Sequence, residues 1–237
     1  TTTGTETGMA TDSLIRTDGE ADYVAKSAAD DLLLYAQYCD PEYTYSPLVG
    51  GIAWQLDRLG KDIRRLVISV PPRHGKSRLV SVEWTSWLMG RRPGVEIVLA
   101  SYSGDLAKEH SRRARERVRT RQWRTVFPDV TEDAEQAAAA NWKLSNGSSY
   151  QAVGVGGSLT GRGADILIID DPIKDHAEAH SATQRQRVWD WFMSVAMTRL
   201  SPGGIVVIIM TRWHVDDLVG RLMDPKRQAE LRDGGGE

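Results

Sequence analysis

The chain has 237 residues, 41% apolar and 26% charged, which is enough to build a core and excludes a disordered or fibrous protein. Thirty Lys and Arg face 32 Asp and Glu, a net charge of −2, so binding nucleic acid by bulk positive charge is excluded while a local basic patch is not. A single cysteine, Cys39, rules out a disulfide framework or a Cys-rich zinc site, and neither a signal-peptide pattern nor an apolar run of the ~20 residues that span a bilayer is seen, so a soluble protein of a reducing compartment with no membrane partner is expected.

The predicted elements begin after a polar lead-in over residues 1–19. A helix is predicted from Ala21 to Tyr38, then a loop from Pro41 to Pro47, and a second helix from Leu48 to Leu59 that Gly60 ends. Residues 1–45 read as a lead-in with its helix, and 46–237 as one further domain. Leu66–Val70 is a short β-branched run, and Ile97–Ala100 is another, followed by a polar helix from Leu106 to about Arg119. Trp142–Leu144 and Tyr150–Val153 flank Asn146-Gly147, a hairpin signal. Ile166–Ile169 is the third aliphatic run. The helix after it carries Val188, Trp191, Phe192 and Val195 at helical spacing. Ile205–Met210 is the fourth run, and a short helix is predicted from about Val215 to Leu222. Four near-continuous aliphatic strands separated by helices predict an α/β fold with a mostly parallel central sheet flanked by helices. Such sheets bind ligands at the carboxyl ends of their strands.

The first strand runs into Val70-Pro71-Pro72-Arg73-His74-Gly75-Lys76-Ser77 and then a helix. This is close to the phosphate-binding loop G-x-x-x-x-G-K-[ST], with Val70 in place of the first glycine. The amides of His74, Gly75, Lys76 and Ser77 can face a phosphate at the start of a helix, and Arg73 lies in the same loop. Lys76 would neutralise β- and γ-phosphate oxygens of ATP, and Ser77 would hold Mg²⁺. A plain strand-turn-helix with a solvated lysine is the alternative. The third aliphatic run ends in Asp170-Asp171: Asp170 is placed to serve the metal and Asp171 to polarise the attacking water. The alternative is a pair of acids capping the turn before Pro172. Thr211, at the end of the fourth run, can sense the γ-phosphate. Gly154–Asp165 holds five glycines and Arg162, a loop able to present a cation or simply to connect. Arg112–Arg124 holds seven arginines and one glutamate, net +6, leaving −8 on the rest. It reads as a DNA-backbone contact, a solvated face or a subunit contact.

Together these residues resemble the ATPase domain of the large terminase subunit of tailed bacteriophages, which packages DNA into an empty head. The resemblance is carried by Pro71–Ser77, Leu159–Asp165, Ile168–Pro172 and Thr211-Arg212-Trp213-His214, and extends from about Ser46 to Leu222. It implies an additional-strand P-loop NTPase fold and an ATP- and Mg²⁺-dependent motor for double-stranded DNA. It implies that Lys76 and Ser77 bind nucleotide and metal, that Asp170 serves the metal, that Thr211 couples hydrolysis to movement, and that Arg162 is an arginine finger towards a neighbouring subunit. The implied partners are a portal protein and procapsid, a terminase small subunit and further copies in a ring. The implied place is the host cytoplasm, transiently at the portal, and not the mature virion. The family often carries Glu where this chain has Asp171, so Glu178 and Asp175 are alternative bases. Large terminases usually carry a C-terminal nuclease domain, for which nothing after Leu222 is long enough here. A helicase-like or other P-loop ATPase, and a nucleotide-responsive assembly module with little turnover, are the competing readings.

Overall fold

In the computed structural model, which describes residues 18–159 and 163–228, the four aliphatic runs lie in a single sheet, three of them at its centre and Leu66–Val70 at its edge. In chain order the first half holds α1 (Asp18–Asp30), α2 (Leu32–Cys39), α3 (Pro47–Arg58), β1 (Arg65–Ser69), α4 (Thr85–Arg91), β2 (Glu96–Ser101), α5 (Gly104–Arg119) and α6 (Arg121–Val126). The second half holds β3 (Glu132–Ala138), β4 (Asn141–Leu144), β5 (Ser149–Gly154), β6 (Ala164–Asp170), α7 (His176–His180), α8 (Ala182–Trp191), β7 (Leu200–Met210) and α9 (Leu218–Met223). The strand order is β1-β7-β6-β2-β5-β4-β3. The first five are mutually parallel; β4 pairs antiparallel with β5, and β3 pairs antiparallel with β4.

The aliphatic runs are continuous because both faces of the sheet are covered. Ile97 and Leu99, Ile166 and Ile168, and Ile205, Val207 and Ile209 face one buried cluster with α1 to α6. The residues between them, Val98 and Ala100, Leu167 and Ile169, and Val206, Ile208 and Met210, face the other with α7, α8 and α9. Strand side chains alternate in direction, so a strand with two covered faces has no polar phase.

Three elements differ from their prediction. The helix expected over 21–38 breaks at Asp31, whose φ of −125° is extended and whose side chain caps α2 by accepting from the Leu34 N–H at 2.8 Å. A short polar side chain that satisfies an orphan helix donor favours a new start over continuation. The hairpin at Asn146-Gly147 forms, but a third strand, β3, joins it. Its sequence, rich in Ala and Glu, favours a helix, and pairing with β4 overrides that preference. The helix expected to run through Val195 stops at Trp191 and continues as wider turns over Phe192–Ala196.

One glycine fixes where α5 starts. A Cβ on Gly154 would lie 2.6 Å from the Gly104 backbone nitrogen, so only glycine lets the end of β5 meet the first residue of α5.

Candidate functional site

The order β1-β7-β6 brings the carboxyl ends of three strands side by side. They deliver the turn after β1 that carries Gly75, Thr211 after β7, and Asp170 and Asp171 at the end of β6. In the turn, Arg73 has φ 65° and Gly75 has φ 77°, both left-handed. A Cβ on Gly75 would meet Val49 Cγ2 at an ordinary 3.6 Å, so glycine suits this position for its backbone angle and not for space. Arg73 and His74 are exposed, and His74 Nδ1 lies 2.9 Å from the Pro72 carbonyl. The helix begins at Lys76 and opens in wide turns over Arg78–Trp84 before α4.

Lys76 is only 4% exposed. Its ammonium donates to Thr211 Oγ1 at 3.1 Å and to the Val70 carbonyl at 3.4 Å, and stands 3.5 Å from Asp171 Oδ2. A buried ammonium needs such partners, because desolvation penalises the charge. Asp171 is held from three sides. Its N–H donates to the Ile209 carbonyl, its carbonyl accepts from the Tyr102 N–H, and its Oδ1 accepts from the Thr211 N–H at 3.0 Å. Its φ of 46° is left-handed, a strained state for a non-glycine residue that about 1–2 kcal/mol normally disfavours.

Asp170 continues the phase of Ile166 and Ile168, so its side chain turns towards the helix after the loop and towards α5. It is 1% exposed. Ser77 Oγ donates to Oδ1 at 2.9 Å and Ser81 Oγ donates to Oδ2 at 2.6 Å. His110 Nε2, from α5, lies 3.5 Å from Oδ2. Burial pushes the Asp170 carboxyl above its usual value and the neighbouring Asp171 adds to the rise, while His110, Ser81 and Ser77 pull it back.

The structure therefore joins Gly75, Lys76, Ser77, Asp170, Asp171 and Thr211 in one place. Glu178 and Asp175 are engaged elsewhere: Asp175 Oδ1 accepts from the Glu178 N–H at 3.0 Å, and Glu178 Oε2 accepts from the Lys174 N–H at 3.1 Å. That is an N-terminal cap for α7, which leaves Asp171 as the carboxylate beside Lys76. Arg162 lies outside the described residues. The arginine stretch is largely matched within the chain. Arg115 and Arg119 hold Glu132, Arg117 holds Glu83 at 2.8 Å, and Arg113 holds Glu109. Arg112 lies 3.7 Å from Glu116, and Arg121 and Arg124 pair with no acid among the described residues. Most of this helix face is thus structural.

Sequence reasoning missed Ser81 and His110. Ser81 was recoverable, since it stands four residues after Ser77 on the same helical face. His110 had no local signal, because it reaches Asp170 only once α5 packs on the sheet.

A family model described as "Terminase large subunit, T4likevirus-type, N-terminal" matches residues 67–232. The chain belongs to this family. The fold of this large-terminase chain is that of a P-loop NTPase, with β7 as the additional strand between loop strand β1 and acid strand β6. Among solved structures it is similar to the HK97 bacteriophage large terminase, with a TM-score of 0.58 at 13% identity, over 88% of this chain and 42% of that one. It also matches the ATPase domain of a Thermus phage large terminase, with a TM-score of 0.49 at 20% identity, over 71% of this chain and 65% of that one. The chain thus spans less than two thirds of the length of either protein. No curated protein sequence matches it.

Proposed function

We propose that this large-terminase chain hydrolyses ATP with Mg²⁺ and that the energy drives double-stranded viral DNA into a procapsid. The observation that carries the reading is the arrangement of Lys76, Ser77, Asp170, Asp171 and Thr211 on three adjoining strand ends. A buried lysine after a left-handed glycine at a helix start is a phosphate site. Lys76 exchanges its contacts with Thr211 and Asp171 for β- and γ-phosphate oxygens, and its charge stabilises the phosphoryl group as charge develops there.

The residues present fit a magnesium ion. Ser77 and Asp170 offer hard hydroxyl and carboxylate oxygens, the donor set Mg²⁺ takes alongside substrate phosphates. Ser77 donates its proton to Asp170, which leaves the hydroxyl lone pairs free for the ion. Ser77 and Asp170 would hold the ion, which would supply positive charge next to the phosphates. Asp171 would accept a proton from the attacking water, a role its position beside Lys76 supports. Thr211 contacts Lys76 through its hydroxyl and Asp171 through its N–H, so it reads both sides of the site and is suited to pass their state along β7.

The remaining roles rest on the family resemblance: Arg162 as a finger towards a neighbouring copy, assembly as a ring on a portal protein, a small-subunit partner, and work in the host cytoplasm at the procapsid rather than in the finished virion. ATP hydrolysis by the chain, measured with Mg²⁺ and with EDTA, with and without double-stranded DNA and the cognate procapsid, tests the proposal. Mg²⁺-dependent turnover raised by DNA is expected. A folded chain without turnover under any of these conditions would sink it.

A further inference from the structure

We infer that His110 is a positioning residue for the metal-side carboxylate: its Nε2–H faces Asp170 Oδ2 and holds the carboxylate so that Oδ1 stays on Ser77. The inference rests on the nucleotide reading above. His110 is buried on α5, 33 residues after Ser77 and 60 before Asp170, and α5 is set against β5 by the Gly154–Gly104 contact. Its Nε2 lies 3.5 Å from Oδ2, a charge–dipole contact and not a short hydrogen bond. Its Nδ1 is buried without a partner. An orphaned lone pair is cheaper to bury than an orphaned N–H next to apolar groups, so the proton belongs on Nε2, the nitrogen that faces the carboxylate. Ser101, the register partner of Asp170 on β2, is also fully buried with its hydroxyl unpartnered, so β2 contributes no hydrogen bond there.

The consequence is a division of labour on one carboxylate. Oδ2 is pinned by Ser81 and faced by His110, while Oδ1 receives the Ser77 hydroxyl that would serve the ion. Without the histidine the carboxylate keeps its serines but loses the group that fixes its tilt from the α5 side. Partners in this position, one step removed from a metal, typically change metal affinity by about 10–100-fold.

Three variants of the full chain separate positioning from packing. His110→Met fills the space without a donor. His110→Gln places an amide N–H at the depth of Nε2, and His110→Asn places one too short to reach. Binding of a fluorescent ATP analogue is measured in EDTA and across a Mg²⁺ titration. Met and Asn are expected to need about 10–100-fold more Mg²⁺ for half-maximal effect, with affinity in EDTA unchanged, and Gln to restore the wild-type requirement. A wild-type Mg²⁺ requirement in a folded Met or Asn variant overturns the inference, and so does a Gln variant no better than Asn. If Met does not fold, the Gln–Asn pair decides, since both are polar and differ only in reach. Lys76→Met carries the separate test: loss of nucleotide binding there alongside unchanged Mg²⁺ dependence at position 110 leaves the nucleotide reading standing and removes only this one.

Discussion

Replacing Lys76 by methionine tests the proposed site most directly, and the structure says what the change removes. Methionine keeps the apolar stem in a site that is 4% exposed, so no cavity of consequence opens. The ammonium contacts three acceptors, and two of them keep another donor. The Val70 carbonyl retains the Thr211 hydroxyl at 3.4 Å; Asp171 keeps the Thr211 N–H on Oδ1 at 3.0 Å, and its Oδ2, which faced the ammonium, belongs to a side chain 34% exposed that water can reach. The third, Thr211 Oγ1, is a hydroxyl that still donates to Val70. No buried acceptor is stranded, so the penalty for an unpaired group does not arise. What is lost is two charged hydrogen bonds, each worth about 1.5–3 kcal/mol, and the Asp171 ion pair, and what is relieved is the several-kcal/mol desolvation of a buried charge. The net should lie within about 2 kcal/mol, a melting shift of no more than about 8 °C for a domain of this size. Hydrolysis should respond far more. Removing one preorganised group that stabilises developing charge costs about 10²–10³ in rate, or roughly 2.7–4 kcal/mol. Circular dichroism melting and phosphate release under saturating ATP measure the two quantities on the same preparation. A folded Lys76→Met chain turning over within tenfold of wild type would refute the assignment, since about 1.4 kcal/mol per factor of ten leaves no room for a cation at the phosphates.

Asp171→Asn keeps the oxygen that accepts from Thr211 and removes the base; nucleotide binding should persist while turnover falls by about 10²–10⁴. Normal hydrolysis in that variant, with Glu178→Gln inactive, would assign the base to Glu178. Asp170→Asn should raise the melting temperature of the nucleotide-free chain near pH 8. Burial holds the Asp170 carboxyl above its usual value, so its ionised form opposes folding at any pH above the folded value. As pH falls through that value the wild-type group protonates, the opposition fades, and the advantage of asparagine should shrink. Melting curves taken from pH 8 downwards check this, and an advantage that grows on acidification would contradict it.

The aliphatic strands, the loop and the acids were legible in the order of residues alone. Alternating burial on two covered faces makes each central strand an unbroken aliphatic run, a pattern legible one residue at a time in Ile166–Ile169 and Ile205–Met210. Gly75-Lys76-Ser77 follows the aliphatic run of the edge strand β1 and Asp170-Asp171 ends a central one, so their place at carboxyl ends was readable without coordinates. Tertiary structure alone decided how the strands neighbour one another. Inserting β7 between β1 and β6 is what puts Thr211 against both Lys76 and Asp171, and no local spacing encodes a partner 135 residues away. It engaged Glu178 in the capping of α7 and set Asp171 beside Lys76. It decided that the arginines of α5 serve mainly Glu83 and Glu132, acids from other parts of the chain. It also formed β3 against its helical composition, and brought His110 to Asp170. The physical reason is the same in each case. Periodicity and turn chemistry act over a few residues and are written in order, whereas hydrogen bonds and ion pairs between elements depend on which surfaces the fold brings into contact.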